Sequence, residues 1–96
     1  MQEIHHPLMI QTLGTSREIV SYHFGPSDVG RKVYIQSSLH ADELPGMLVS
    51  WFLKKKLRQL ESDGVLTGEV VLVPVSNPMG LDQHVQAGHL GRFELD

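Results

Sequence analysis

Val33-Tyr34-Ile35-Gln36-Ser37-Ser38-Leu39-His40-Ala41-Asp42-Glu43-Leu44-Pro45-Gly46 is the stretch on which the reading of the fold turns. Val33 and Ile35 alternate with Tyr34 and Gln36, the period of a β-strand with two distinct faces. The strand is expected to be buried and to run from Lys32 to Leu39, with the small pair Ser37-Ser38 leaving room for a pocket at its carboxyl end. In open α/β sheets that end is where ligands bind. His40 and Glu43 follow in the turn, and Pro45 suits the first turn of a departing helix, where its missing N–H costs nothing.

An imidazole and a carboxylate three residues apart are donors of the kind zinc accepts, at about 2.0–2.2 Å. A catalytic zinc usually has three protein ligands and keeps one position for water. His40 and Glu43 supply two of them. The plainer alternative is that His40 hydrogen-bonds a turn and Glu43 sits near a helix N-terminus, where negative charge is favoured.

Downstream, Met47, Leu48, Trp51, Phe52, Leu57 and Leu60 recur at helical spacing from Pro45 to about Leu60, and this stripe is expected to pack on the sheet. Lys54-Lys55-Lys56 reads as a solvated helix face. Ser62-Asp63-Gly64 supplies the stop. Glu69-Val70-Val71-Leu72-Val73-Pro74-Val75 is nearly all apolar, as expected of a central strand covered on both faces, and Pro74 should end its pairing. Strand, helix and strand together form a right-handed βαβ unit with parallel strands. The turn Ser76-Asn77-Pro78-Met79-Gly80 should then lie beside His40 and Glu43. Leu81 to Asp96 has little periodicity and reads as a long loop.

Upstream, residues 1–7 read as a loose lead-in, with His5-His6-Pro7 as loop. Leu8 to Leu13 reads as a strand and Gly14-Thr15-Ser16 as a turn. Glu18 to Phe24, rich in β-branched and aromatic residues, is a second strand paired with the first in a hairpin. His23 is expected at a surface or half-buried sheet position. Gly25-Pro26-Ser27-Asp28 with Gly30 is the next break.

With 96 residues and 41% hydrophobic content, the chain suits one small soluble domain. A net charge of −3 with mixed signs gives no sign of nucleic-acid binding. There are no cysteines, which excludes disulfides and thiolate metal ligands. No basic segment with a long apolar core opens the chain, so no signal peptide is expected. No apolar run approaches the ~20 residues of a membrane span, and a cytoplasmic location is the expectation. A chain this short buries only about 60–65% of its unfolded surface. Residues 91–96 carry no stop signal, which suggests a fragment of a larger domain.

Ser38-Leu39-His40-Ala41-Asp42-Glu43-Leu44-Pro45-Gly46 resembles the metal motif of the succinylglutamate desuccinylase/aspartoacylase family, part of the zinc carboxypeptidase superfamily. Val73-Pro74-Val75-Ser76-Asn77-Pro78-Met79-Gly80 resembles the superfamily's second landmark. The resemblance runs from about Leu8 to Asp96; the H-A-D-E-x-P-G segment is its specific part. It implies an α/β fold, a mixed sheet with helices on both faces (zinc-carboxypeptidase-like, or phosphorylase/hydrolase-like), incomplete at the C-terminus. Residues 1–96 would be the N-terminal part of that domain.

The resemblance further implies one zinc held by His40 and Glu43. Arg92, fifteen residues after Asn77 and followed by Phe93, matches the arginine that polarises the scissile carbonyl; its plainer reading is a solvated loop residue. The third zinc ligand, the general-base glutamate and the Asn-Arg pair that grips a substrate carboxylate would lie beyond Asp96. His84 and His89 fall too early to match that third ligand, although either could bind metal in a rearranged site. The implied activity is hydrolysis of an amide bond in an N-acyl amino acid or related small molecule, with no nucleic-acid or membrane partner and with homo-oligomerisation possible through an exposed sheet edge. The 96-residue chain alone is expected to be inactive. Two alternatives stay open: a non-catalytic remnant or binding domain with the same fold, and a peptidase of the same superfamily.

Overall fold

The computed structural model describes residues 1–9, 13–40, 43–82, 84–85 and 88–89. Its elements, in chain order, are β1 (Gln2–Pro7), β2 (Glu18–Phe24), β3 (Lys32–Gln36), α1 (Leu44–Ser62), β4 (Glu69–Val73), α2 (Pro78–Asp82), β5 (His84–Val85) and β6 (Gly88–His89). The first four strands form one mixed sheet in the order β1-β2-β4-β3. β4 is central, antiparallel to β2 and parallel to β3. The β3-α1-β4 unit is therefore the parallel pair with a helical crossover that the spacing indicated. Among the described residues, no helix is long and apolar enough to cross a membrane.

Strand alternation sorts the sheet into two faces. Tyr22, Phe24, Ile35, Val70 and Leu72 share one, and α1 lies on it: Phe24, Leu57 and Leu72 are the buried cluster, with Leu53 and Leu66 packed against it. Phe24 and Leu72 are fully buried. α1 stops where the sequence indicated, at Gly64 with φ 70°, a left-handed conformation that glycine adopts without steric cost.

The helix does not present its aromatic stripe to the sheet. Leu48, Trp51 and Phe52 are each more than half exposed, whereas Ser50 and Leu57 are the buried residues of α1. The reason is local. α1 leaves the turn so close to the end of β3 that only small residues fit: a Cβ on Gly46 would stand 3.2 Å from the Ser37 Cβ, and Ser50 and Ser37 share a hydroxyl hydrogen bond of 2.8 Å. With Gly46 and Ser50 facing the strand, Leu53 and Leu57 follow on that side at helical spacing, and the Trp51 side turns outward. Leu44, Pro45, Met47, Leu48 and Trp51 line an open groove of about 680 Å³ there. Lys55 and Lys56 are exposed, as the sequence indicated, while Lys54 is half-buried with its Nζ 3.7 Å over the Tyr22 ring; the Lys55 Nζ lies 3.6 Å over Trp51.

Two further expectations are corrected. The first strand is residues 2–7, read above as a lead-in. Leu8 and Met9 fall outside any strand, Leu13 lies in a turn, and residues 10–12 of the expected strand lie outside the described set. The sequence hid this strand because its side chains pair instead of forming a core. The adjacent histidines point to opposite faces, where His5 hydrogen-bonds Glu18 and His6 Nε2 reaches the Ser21 Oγ at 2.8 Å. Second, β3 is an outer strand of the described sheet, with Val33 and Tyr34 more than half exposed.

The face away from α1 carries a polar row that crosses all four strands. His6 meets Ser21, the Ser21 Oγ lies 2.9 Å from His23 Nε2, and His23 Nδ1 lies 2.8 Å from Glu69. Lys32 then reaches the other Glu69 oxygen at 3.0 Å. The carboxylate can only accept, so His23 donates to it through Nδ1, and the Ser21 hydroxyl bridges the two imidazoles. His23 is half-buried, as the sequence indicated, and Glu69 is 7% exposed, so each group depends on the next.

Ser21→Ala removes the central link and leaves two imidazoles short of a partner; about 1–3 kcal/mol of unfolding free energy should be lost in urea titrations. The His23 and Lys32 hydrogen bonds hold the Glu69 carboxyl below the usual carboxylate range. Because its folded-state pKa is lowered, this contribution is complete above the unfolded-state value of about 4.3 and is lost as pH falls through the lower folded value. Urea midpoints measured from pH 6 down to about pH 3 should therefore fall less steeply in Glu69→Gln than in the parent.

Candidate functional site

The carboxyl ends of β3 and β4 are joined residue by residue. The Ser37 N–H donates to the Val73 carbonyl at 3.0 Å, and the Ser37 carbonyl accepts the Ser76 N–H at 3.0 Å and its hydroxyl at 2.8 Å. The Ser37 hydroxyl donates to the Pro74 carbonyl at 2.6 Å. Asn77 continues the seam: its N–H donates to the Ser38 carbonyl at 3.1 Å and its side-chain amide to the Leu39 carbonyl at 3.0 Å. The Asn77 Oδ1 accepts the Gly80 N–H at 2.9 Å. That contact makes Asn77 the N-cap of α2, with Pro78 at the first helical position. The short helix and the small β5/β6 ladder occupy part of what was read as a long loop.

Ser38 is conformationally expensive. Its φ is 56°, left-handed for a residue with a Cβ, a state that costs roughly 1–2 kcal/mol. Its hydroxyl is buried and has no hydrogen-bond partner among the described residues. Strain of this kind concentrates where a fold holds a special geometry. Here it turns the chain out of the strand direction two residues before His40.

The turn closes with the Glu43 N–H donating to the His40 carbonyl at 3.1 Å. His40 Nε2 and Glu43 Oε1 then stand 3.9 Å apart, with side chains 28% and 47% exposed. That is too long for a hydrogen bond. Glu43 occupies the N-cap position of α1 yet makes no side-chain capping bond, so helix capping does not account for its carboxylate. Two donor atoms each about 2.0–2.2 Å from one zinc ion stand about 3.3–3.6 Å apart at the tetrahedral angle. The pair is a few tenths of an ångström wider than that, a gap that a small side-chain rotation closes, and imidazole with carboxylate fits the ion on chemistry. Among the described residues, no group of three His, Cys, Asp or Glu could hold a metal. His84 and His89 are register partners across β5 and β6. Arg92 lies outside the described residues, as do Ala41 and Asp42 between the pair.

Sequence reasoning found the pair and the adjacency of the two strand ends. It missed the Asn77 contact to Leu39, the strained Ser38 and the Ser37–Ser50 contact. Asn-Pro is a helix-start signal and would have indicated the cap, but not the long-range donor.

An imidazole and a carboxylate at a strand-to-helix corner, beside the end of a parallel neighbour, define an α/β protein with its candidate site at the strand ends. The model of the succinylglutamate desuccinylase/aspartoacylase catalytic domain matches residues 29–93. The chain belongs to the succinylglutamate desuccinylase/aspartoacylase family, a family of hydrolases. The crystal structure of a family protein from Shewanella amazonensis SB2B superimposes with a TM-score of 0.78 at 31% identity, over 98% of this chain and 25% of that one. The chain thus spans about a quarter of that relative's length. No curated protein gives a significant match.

Ser38→Gly relieves the left-handed strain of about 1–2 kcal/mol and removes the buried hydroxyl, against roughly 0.5–1 kcal/mol of added chain entropy. A neutral to modestly raised melting temperature is expected. Ser38→Val, β-branched at the same φ, should lower it clearly.

Proposed function

We propose that this chain carries the opening part of the active site of a zinc-dependent amidohydrolase that cleaves an N-acyl amino acid or a related small amide. The observation that supports it best is the 3.9 Å separation of His40 Nε2 and Glu43 Oε1 at the carboxyl end of β3, with Glu43 unused as a cap. Membership of a deacylating family supports the reaction class. Residues 1–96 are, in this proposal, the N-terminal part of that domain.

In this reading His40 and Glu43 hold the ion, and a third ligand and a general base come from elsewhere in the complete site. The chemistry a bound zinc supplies is acidification of water and polarisation of the amide carbonyl. His40 presents Nε2 as a neutral donor, and Glu43 brings a negative charge that offsets the ion's. Arg92, by its resemblance to the family's arginine, stabilises the charge that develops on the carbonyl oxygen. Removal of a donor in that role costs about 10²–10³ in rate.

Two ligands alone hold zinc weakly. NMR titration of the 96-residue chain with Zn²⁺ should shift the His40 ring resonances at high metal concentration, and His40→Ala or Glu43→Gln should abolish tight zinc retention in the complete protein together with amide hydrolysis. Hydrolysis retained by the zinc-free variants would overturn the proposal.

A further inference from the structure

We infer that Asn77 is the positioning residue that fixes the orientation of His40; its importance for metal binding rests on the zinc reading above. The β3–β4 ladder ends at the Gln36–Val73 register, and Ser38, with φ 56°, immediately turns the chain away. From there to His40 the backbone needs another tether. Asn77 provides two in succession, to the Ser38 carbonyl through its N–H and to the Leu39 carbonyl through its side chain. The second fixes the peptide plane that leads into the His40 Cα, and so sets the direction in which the imidazole leaves the chain.

The orientation of the Asn77 amide follows from its two contacts. The group facing the Leu39 carbonyl must be a donor, and the group facing the Gly80 N–H must be an acceptor, so only the observed rotamer satisfies both. One side chain therefore ties α2 to the turn: the oxygen caps the helix and the nitrogen holds the strand end. Aspartate keeps the cap and loses the donor. Serine also caps helices but is too short to reach Leu39. Ser76 supplies the matched comparison, because its hydroxyl joins the same two strand ends at Ser37, three residues before His40.

The test uses the isotope-labelled 96-residue chain. The Hα–Hβ couplings of His40 are measured without metal, and Zn²⁺ is then titrated against the His40 ring resonances. The parent should show one His40 rotamer. Asn77→Asp and Asn77→Ser should average the couplings and raise the zinc dissociation constant about 10–100-fold, the usual effect of losing a partner that orients a ligand. Ser76→Ala should lower the melting temperature while leaving the couplings and zinc affinity unchanged. Unchanged couplings in both Asn77 variants, or an equal change in Ser76→Ala, would overturn the assignment. Should the parent take up no zinc at His40, the metal reading falls and the metal-free couplings alone decide the role of Asn77.

Discussion

The seam between the carboxyl ends of β3 and β4 is the constraint on which the candidate site depends. Parallel strands contribute evenly spaced hydrogen bonds along their ladder, but that ladder stops short of the residues that matter. Beyond it, Ser37, Ser76 and Asn77 bind one carbonyl after another up to Leu39. Without the Asn77 contacts, a strained left-handed residue would be followed by a turn with little to define it. With them, His40 and Glu43 face each other across 3.9 Å.

The same seam dictates how α1 docks. α1 starts just past the end of β3 and packs on β2 and β4, and where it passes Ser37 the facing side chains have to be small. Gly46 and Ser50 meet that requirement against Ser37. The Leu53 and Leu57 side then completes the packing on Phe24 and Leu72, and the Trp51 side is left outward. The position of the site and the exposure of an apolar helix face thus share one geometric cause.

The chain belongs to a family of hydrolases and spans about a quarter of a solved relative that superimposes over nearly all of it. Within that span the sheet is held by two unlike means. The face under α1 is apolar. The opposite face relies on a row of hydrogen-bonded polar groups from His6 to Lys32, in which the ionised Glu69 is satisfied from two sides. A buried carboxylate is tolerable because both of its oxygens are engaged.

The sequence by itself determined the elements whose cause is local. β-branched and aromatic content marked β2, alternation marked β3, the run of apolar residues marked β4, helical spacing with Pro45 and Gly64 bounded α1, and the spacing of His40 and Glu43 identified the candidate pair. Tertiary structure alone decided the remainder. β1 is a strand because His5 and His6 find partners on β2, and no periodicity in Gln2–Pro7 records that. The helix face against the sheet was chosen by the close crossing at Ser37 and not by the larger apolar stripe. Asn77 gained its contact to Leu39 only when two strand ends 38 residues apart came together. Local patterns reflect solvent and backbone preference, whereas these three features arise from the proximity of distant residues, which no short window of sequence contains.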